Sequence, residues 1–451
     1  LRDTMKKTIF VLLLVLLMLS GCQKTETKTE EKTDLLGSEI NIICDENNCN
    51  GFLWFSSDSK EAEEMRQRKE VIENEFNCKI NIVNTETGIE SFISSKTASN
   101  ATGDADITLS LSYYVRRWGK AGYLTDIAEI SDAIGFPDSF RWGDENDLET
   151  TAVGGTVYGV IPKSFPDNLK SFFYFIVTND ALVTKATGIS PDVYRENGLS
   201  REDLEFLVKN TYQPSEGIYG LDTGLESFLT TCIYSGGGSV YNEKTGKTGL
   251  RDAGKLEALS WGADFLDNNK AAVYLHDDYR DMFLSGKAAL ATADTAAITD
   301  DIADNTEIGR FSVFSFPKGP YATEETAAGY IHSYKHTIAV PKITSDADAT
   351  AEILNEFFAP LSYLSSEEDL KKYYKNGVFW ADEDVETVFG ESAKGRYNYW
   401  QEGFHNIMTN IAEATVSQSP SAALSSALGI ADNSVETTIK PNREGLKLYF
   451  E

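Results

Sequence analysis

Length, composition and charge limit what this chain can be. It has 451 residues, 41% apolar and 25% charged, which exceeds one compact core and fits a soluble globular protein of about two or three domains. The same fractions exclude a disordered chain and a polytopic membrane protein. Lys and Arg number 41 against 70 Asp and Glu, a formal charge of −29, and so acidic a surface repels phosphate backbones. We therefore expect no nucleic-acid partner.

The N-terminal segment predicts export and a lipid anchor. Two lysines precede an unbroken apolar run over residues 9–19, which is typical of a signal peptide and shorter than the roughly 20 apolar residues of a membrane-spanning helix. The run ends in Leu19-Ser20-Gly21-Cys22, which resembles the bacterial lipobox. We predict a signal peptide over residues 1–21 and a diacylated Cys22 that holds the mature protein on the membrane. The alternative is an ordinary secretory signal with an incidental cysteine.

Residues 22–37 are predicted to form a flexible tether that begins with the lipidated cysteine, because residues 23–34 contain no apolar side chain. The globular part is expected to begin near Ser38. It contains four further cysteines: Cys44, Cys49, Cys78 and Cys232. An exported compartment permits disulfides, and Cys44 is close enough to Cys49 to close a small loop, but the sequence leaves the connectivity open. No two cysteines have the CxxC spacing of a thiol metal site or redox motif.

The first elements of the globular part predict an α/β layer. Residues 39–44 and 79–83 have the pattern of strands, and residues 61–76 between them place four apolar side chains on one helical face. Two strands joined by a helix of this length form a parallel pair with a right-handed crossover. A further strand is predicted around residues 107–111. A capping serine with an acid three positions later, at residues 200–203, predicts the start of a later helix.

Short motifs then follow in an order that resembles the family 1 extracellular solute-binding proteins of ATP-binding-cassette importers. Residues 103–106 (GDAD) resemble the "GDAPD" strand start of that family, without its proline, and residues 121–126 (AGYLTD) resemble its "aGyLtdL" motif. Later family motifs are matched in order by GTVYGVIP at 155–162, FYFIVTNDALVTKATG at 173–188, GGG and a hairpin sequence at 236–250, FLSGKAA at 283–289, FPKG at 316–319 and EATVSQSPSAALSSAL at 413–428. Each motif is weak alone, and their common order carries the resemblance.

The resemblance implies a two-lobed α/β fold of the periplasmic-binding-protein type II class. Each lobe is expected to be a mainly parallel sheet flanked by helices, with hinge strands between the lobes near residues 161–165 and 336–341. We assign residues 38–161 and 281–338 to lobe 1, and residues 162–280 and 339–451 to lobe 2. In such a fold a solute bridges loops at the carboxyl ends of both sheets, and the closed state is selected because only it makes both sets of contacts.

Motifs of catalysis are weak in this sequence. His332 and His336 lie in an HSYKH run that lacks the glutamate of a zinc-protease helix, and Gly246-Lys247-Thr248 has Tyr241 where a phosphate loop requires a glycine. No GxSxG nucleophile motif occurs. We therefore expect no enzyme, no cofactor and no metal. Two alternatives stay open: a lipid-anchored hydrolase of surface polysaccharide, which needs a carboxylate pair in the cleft, and a sensor or adhesin on the same fold.

The aromatic content favours a sugar ligand. The chain has 6 Trp, 21 Tyr and 24 Phe, and a sugar ring offers an apolar face for stacking and a rim of hydroxyls for polar groups. The resemblance also implies a carbohydrate or oligosaccharide, although Thr295-Ala296-Ala297 stands where many sugar-binding relatives have a tryptophan. Our candidate ligand-binding residues are Trp54, Asp58, Tyr113, Tyr114, Asp294, Tyr330, His332, Trp380 and Trp400. Core packing is the alternative for each single aromatic.

These expectations together describe a receptor on the extracellular face of the cell membrane. Its partners are then one small solute, with a sugar favoured, the transmembrane permease subunits of an importer, and the membrane itself through the lipid anchor. We expect the receptor to act as a monomer and to deliver its solute chemically unchanged.

Overall fold

The computed structural model describes residues 33–44, 60–85, 88–99, 101–163, 168–169, 172–195, 198–275, 280–326, 328–332, 334–399 and 402–450. The predicted signal peptide, most of the tether, Cys22, Cys49, Trp54, Asp58 and Trp400 lie outside these residues. Within them, no helix combines the length and apolar character needed to cross a membrane.

The described residues alternate between strands and helices along most of the chain. The strands are β1 Ser38–Cys44, β2 Cys78–Asn84, β3 Ile107–Leu111, β4 Ala152–Val153, β5 Thr156–Val157, β6 Phe172–Phe173, β7 Phe175–Asn179, β8 Tyr219–Thr223, β9 Tyr241–Asn242, β10 Lys247–Thr248, β11 Val273–Leu275, β12 Ala288–Ala293, β13 Phe311–Ser315, β14 Tyr330–Ile331 and β15 His336–Ala339. The α-helices are α1 Lys60–Glu75, α2 Ile89–Ala98, α3 Ser112–Lys120, α4 Ser131–Ile134, α5 Ser139–Trp142, α6 Glu145–Leu148, α7 Asp180–Thr187, α8 Arg201–Thr211, α9 Leu225–Ser235, α10 Ala253–Asn268, α11 Asp281–Leu284, α12 Thr295–Ala297, α13 Ala347–Phe357, α14 Glu367–Gly377, α15 Asp382–Lys394, α16 Phe404–Ser417, α17 Pro420–Ser434 and α18 Lys440–Phe450.

The first sheet confirms the predicted β-α-β unit. Its strand order is β15-β3-β1-β2, with β1 parallel to both β2 and β3 and β15 antiparallel to β3. The apolar face of α1 is buried through Met65 and Ile72, at 1% and 3% exposure, and β1 buries Ile42 completely. Alternating β-branched residues in β1 and a 3.6-residue apolar period in α1 therefore produce the local structure that the sequence predicts.

The second sheet corrects part of the expected division into lobes. Its order is β11-β8-β12-β7-β13, so β12 and β13 belong to this sheet, whereas we had assigned residues 281–338 to lobe 1. Leu290 of β12 pairs with Leu221 of β8 on one side and with Thr178 of β7 on the other. The β8 pairings are parallel and the β7 pairings antiparallel, so β7 runs opposite to the other four strands of a sheet that is otherwise parallel. The strand pattern was visible in the sequence, but it does not specify which strands pair.

Two helices of the expected lobe 2 also pack against the first sheet's half of the molecule. Helix α13 packs on α1 and α4, and Arg68 of α1 donates to the carbonyl of Phe357 at 3.0 Å. Helix α18 packs on the β4-β5 hairpin, where the Tyr449 hydroxyl accepts from the Val157 backbone N–H at 3.1 Å. The assignment of residues 339–451 to lobe 2 is therefore wrong for these two helices.

Two neighbouring segments cross between the sheets. The first leaves the first sheet after residue 161 and reaches β6, and the second runs from β14, which pairs with β6, into β15. Asn168 joins them, because its side-chain amide donates to the carbonyls of Pro162 at 2.7 Å and His336 at 3.2 Å, and Lys335 donates to its backbone carbonyl at 2.8 Å. The second crossing thus lies before residue 336, earlier than expected, because residues 336–339 form a strand of the first sheet.

Candidate functional site

Side chains of both sheets lie where parallel strands end. Strand β3 ends at Leu111, and Tyr113 and Tyr114 open α3 directly after it. Strand β8 ends at Thr223, and Glu226 lies in the first turn of α9. In α/β proteins the loops at the carboxyl ends of the strands form the crevice in which ligands bind. These positions therefore define the candidate site.

Tyr113 and Tyr114, which the sequence suggests as ligand-binding residues, form what we call the first-sheet wall of the candidate site. Both side chains are half-buried, and their ring centroids lie 4.8 Å apart. Tyr114 stacks at 5.9 Å on Trp118, which is 2% exposed, and the Arg117 guanidinium lies 5.8 Å from the Tyr114 ring. Stacking on the flat apolar face of a ligand requires a partly accessible ring that is held rigidly from behind, and Trp118 supports the Tyr114 ring in this way.

The second wall contains two histidines and a carboxylate. His405, in the first turn of α16, places its Nδ1 atom 3.3 Å from the Glu226 carboxylate. His332 is 4% exposed, and its ring lies 4.1 Å from that of Tyr334, which is 47% exposed. Burial lowers the pKa of His332 to about 4, and His405 contributes in the same direction. His332 is therefore a neutral imidazole at pH 7, which can donate one hydrogen bond and accept another.

A stack of tyrosines lies behind this wall. Tyr330 is 2% exposed, and its ring lies 4.6 Å from that of Tyr234 and 6.4 Å, edge-on, from that of Tyr174. The Tyr174 hydroxyl reaches the hydroxyl of Ser227 in the first turn of α9, at 3.4 Å. Tyr330 thus packs as a core residue that supports the site.

The other candidates occupy different surroundings. Asp294 is 8% exposed and caps α12, because its carboxylate accepts from the Ala297 backbone N–H at 2.6 Å. Trp380 is 57% exposed in the turn between α14 and α15, and among the described residues it is not brought to the tyrosine stack. Trp54, Asp58 and Trp400 lie outside the described residues, so their placement stays a prediction.

Beside the two walls lies a buried polar network that sequence reasoning missed. Arg116 of α3 has its Nε atom 2.7 Å from the Glu402 carboxylate and donates through Nη1 to the Glu149 carbonyl at 3.1 Å. Its guanidinium lies 5.8 Å from the ring of Tyr397 and 5.3 Å from that of Tyr399, and the Tyr397 hydroxyl donates to Glu402 at 2.6 Å. The only signal in the sequence was a pair of charged residues, Arg116 and Arg117, between the apolar Val115 and Trp118.

The same network continues to the C-terminal helix through the Glu149 carboxylate, which is 3% exposed as a residue. It accepts from the Tyr399 hydroxyl at 2.5 Å and from Arg443 Nε at 2.7 Å, and Arg443 also contacts Glu243 at 3.0 Å. Burial, together with the Glu149 charge, raises the pKa of Tyr399 well above its ordinary value, so this phenol keeps its proton. The network therefore links four segments. Helix α3 and the segment around Glu149 lie beside the first sheet, and the network joins them to the segment before α16 and to helix α18.

Groups that could hold a metal were sought across the described residues. No cluster of three or more His, Cys, Asp or Glu side chains there has a metal-binding arrangement. Cys232 is a buried free thiol whose pKa is raised by burial, and Cys78 is a half-buried free thiol.

Two mixed α/β sheets joined by crossing segments, with ring-bearing and polar side chains at the strand ends, define the class of two-lobed solute-binding proteins. The sequence profile of the bacterial extracellular solute-binding proteins matches residues 58–360. This match covers about two thirds of the chain, and the protein therefore belongs to that family, as the sequence motifs predict. Membership implies a location outside the cytoplasm. No curated protein sequence matches the chain significantly.

Solved structures share the fold at low sequence identity. The substrate-binding protein Lmo0181 from Listeria monocytogenes, in complex with cycloalternan, has a TM-score of 0.55 and 14% identity, covering 89% of this chain and 99% of its own. A cyclo/maltodextrin-binding protein complexed with maltotetraose has a TM-score of 0.57 and 17% identity, covering 91% and 99%. UgpB from Mycobacterium tuberculosis, in complex with glycerophosphocholine, has a TM-score of 0.57 and 13% identity, covering 88% and 97%. At these identities the likeness establishes the fold.

Proposed function

We propose that this protein captures a small carbohydrate between its two lobes and delivers it to the permease of an ATP-binding-cassette importer. The observation that carries the proposal is that accessible rings and polar side chains follow strand ends in both halves of the fold. Tyr113 and Tyr114 directly follow β3, His332 and Tyr334 follow β14, and His405 lies beside Glu226 at the start of α9. The half-buried rings of Tyr113 and Tyr114 and the exposed ring of Tyr334 suit a ligand with apolar faces and a polar rim.

Each wall has a chemical role in this proposal. The Tyr114 ring, fixed by Trp118, stacks on the C–H face of the sugar, while Glu226 and His405 bond its hydroxyls. Neutral His332 offers one donor and one acceptor without the desolvation penalty of a charged group. Since only the closed arrangement makes both sets of contacts, the solute selects it.

The fold neighbours support a carbohydrate as the solute. Two of them hold cycloalternan and maltotetraose, which are saccharides, and the third holds glycerophosphocholine, which is a polar molecule of another class. The aromatic walls of this chain match the first chemistry. The affinity then arises from stacking and hydrogen bonds, and the solute leaves the protein unchanged.

The lipid anchor at Cys22 is the second part of the proposal. It rests on the Leu19-Ser20-Gly21-Cys22 motif after an apolar run. Growth of expressing cells with an alkyne-tagged fatty acid tests it, with Cys22→Ser as the control. We expect label on the wild-type protein and none on the variant. Equal labelling of both, or labelling of neither, would reject the anchor.

The carbohydrate assignment is tested by a thermal-shift screen against saccharides, peptides and amino acids, followed by calorimetry. A cleft ligand at a hundred times its dissociation constant adds about 2.7 kcal/mol of stability. We expect a saccharide to bind at a 1:1 ratio and Tyr114→Ala to weaken it at least tenfold, about 1.4 kcal/mol. Tyr321→Ala, at a tyrosine that is 61% exposed, is the matched control. Preferential binding of peptides, or equal affinity in both variants, would reject the assignment.

A further inference from the structure

A cavity of about 100 Å³ lies where the crossing segments meet both halves of the molecule. Helices α5 and α6, which precede the first crossing, contribute to its lining, as do α14 and α15. The crossing segments contribute Asn168, Phe172 and Ile331. The lining therefore combines residues from each half with residues that connect the halves.

One wall of this cavity is fixed to the first sheet. The Asp147 carboxylate of α6 lies 3.3 Å from the Nζ atom of Lys335, and both side chains are buried. Lys335 directly precedes β15, a strand of the first sheet. Ile161 follows Val160, whose backbone N–H donates to the Ile338 carbonyl of β15 at 2.8 Å. The ion pair and this backbone bond therefore hold the wall to the first sheet.

A second wall is fixed to the second sheet through α15. The Asp384 carboxylate of this helix accepts from the Val313 backbone N–H of β13 at 2.9 Å. Phe389 and Ser392, further along the same helix, line the cavity. The Ser392 hydroxyl is buried and has no hydrogen-bond partner among the described residues, so it does not bond this wall to the first one.

The residues of the second crossing segment divide between the cavity and the candidate site. Ile331 and Lys335 line the cavity. The ring of His332 contacts that of Tyr334 at 4.1 Å, and Tyr330 packs in the tyrosine stack behind the site. Side chains of an extended chain alternate between its two faces. The odd-numbered residues therefore face the cavity and the even-numbered residues face the candidate site, so the crossing segment separates the two.

We propose that the volume of this cavity sets the balance between the open and closed arrangements of the lobes, and thereby the affinity for the solute. This inference rests on the proposed capture of a solute between the lobes. Because the crossing segment separates the cavity from the candidate site, a rotation that closes the site opens the cavity, and the reverse rotation compresses it. A side chain that fills the cavity therefore favours the closed arrangement, whereas a larger void favours the open one, in which it is compressed. Phe389 and Ser392 are positioning residues that act without contacting the solute.

Two variants of α15 change the cavity in opposite directions. Ser392→Phe fills it and removes the unpaired hydroxyl, and Phe389→Leu enlarges it while keeping the wall apolar. Thr387→Phe is the matched control, because Thr387 lies on the same helix but does not line the cavity. Calorimetry with the saccharide that gives the largest thermal shift measures the dissociation constant of each protein, and circular dichroism on heating establishes that each variant is folded.

We expect Ser392→Phe to bind about fivefold more tightly than wild type and Phe389→Leu about threefold more weakly, with the control within about twofold. A gain in affinity is a result that damage to the packing would not produce. Unchanged or weaker binding by folded Ser392→Phe, or tighter binding by folded Phe389→Leu, would overturn the inference and leave the proposed function intact. Failure of the wild-type protein to bind any saccharide would overturn both. If Ser392→Phe does not fold, Ser392→Leu is measured in its place, with the same expectation.

Discussion

Replacement of Asp294 by Asn should stabilise the protein at neutral pH. Asp294 is 8% exposed, and burial raises the pKa of its carboxyl to about 6, although the Ala297 N–H bond and Arg280 act against this shift. The unfolded chain has the ordinary value of 3.8. Between these two values the folded protein holds a proton that the unfolded chain has lost. The contribution of Asp294 to stability therefore falls as the pH rises from about 4 to about 6, and this loss is complete above that range.

The magnitude follows from the two values. The pKa of Asp294 in the folded protein exceeds that in the unfolded chain, and this difference, at about 1.36 kcal/mol per pKa unit, corresponds to about 3 kcal/mol. Above pH 6 the buried charge therefore destabilises the folded protein by about this amount. Asn caps helices as well as Asp does, so Asp294→Asn keeps the bond from Ala297 while removing the buried charge. We expect the variant to be more stable than wild type by up to about 3 kcal/mol at pH 7.5 and by little at pH 4.

Urea unfolding of both proteins at several pH values between 4 and 8 measures this difference. Asp138→Asn is the matched control, because Asp138 caps α5 in the same way but is exposed, and its change should be within about 0.5 kcal/mol. An Asp294→Asn variant that is less stable than wild type at pH 7.5, or whose advantage does not grow with pH, would refute the reasoning. Loss of saccharide affinity in the same variant would show that Asp294 binds the solute, as the sequence first suggested.

Three further substitutions have defined outcomes. Because burial keeps the pKa of His332 at about 4 against an ordinary 6.5, this histidine should contribute a loss of about 3 kcal/mol as the pH falls through that interval, opposite in sign to the contribution of Asp294. In urea unfolding His332→Gln should therefore gain up to about 3 kcal/mol relative to wild type between pH 6.5 and pH 4, and a constant difference would contradict the buried neutral imidazole. Tyr399→Phe leaves Glu149 without one hydrogen bond and should cost about 1–3 kcal/mol in the same assay; no change would contradict the network. Gly445→Ala should destabilise by about 1–3 kcal/mol or more in thermal unfolding, because its Cβ would lie 2.3 Å from the Gly155 Cα; unaltered stability would contradict the close approach of α18.

Local elements of this fold could be predicted well from the sequence. The β1-α1-β2 unit follows from a period of two in the strands and 3.6 in the helix, and the structure confirms it. The helix that begins after Ser200 follows from its capping box with Asp203, which is also present. Such features depend on residues that are close together in the chain, so the local sequence pattern is sufficient to predict them.

Features that depend on distant residues were not predictable in this way. Strand β12 reads as a strand in the sequence, but its place between β7 and β8 is decided by pairing with segments far along the chain. Likewise, the motif order led to Tyr113 and Tyr114, because they directly follow β3. It could not lead to Arg116, whose buried charge is explained only by Glu402 and Tyr397 near the other end of the chain.

The central claim is that one solute contacts both lobes at the same time, and hydrogen exchange measured by mass spectrometry tests it most directly. The protein is compared with and without the saccharide that gives the largest thermal shift. We predict slower exchange on binding in two separate regions, residues 112–118 beside the first sheet and residues 224–230 at the start of α9, and no change of that size in α17. Protection confined to one of these two regions, or absent from both under saturating saccharide, would contradict capture between the lobes.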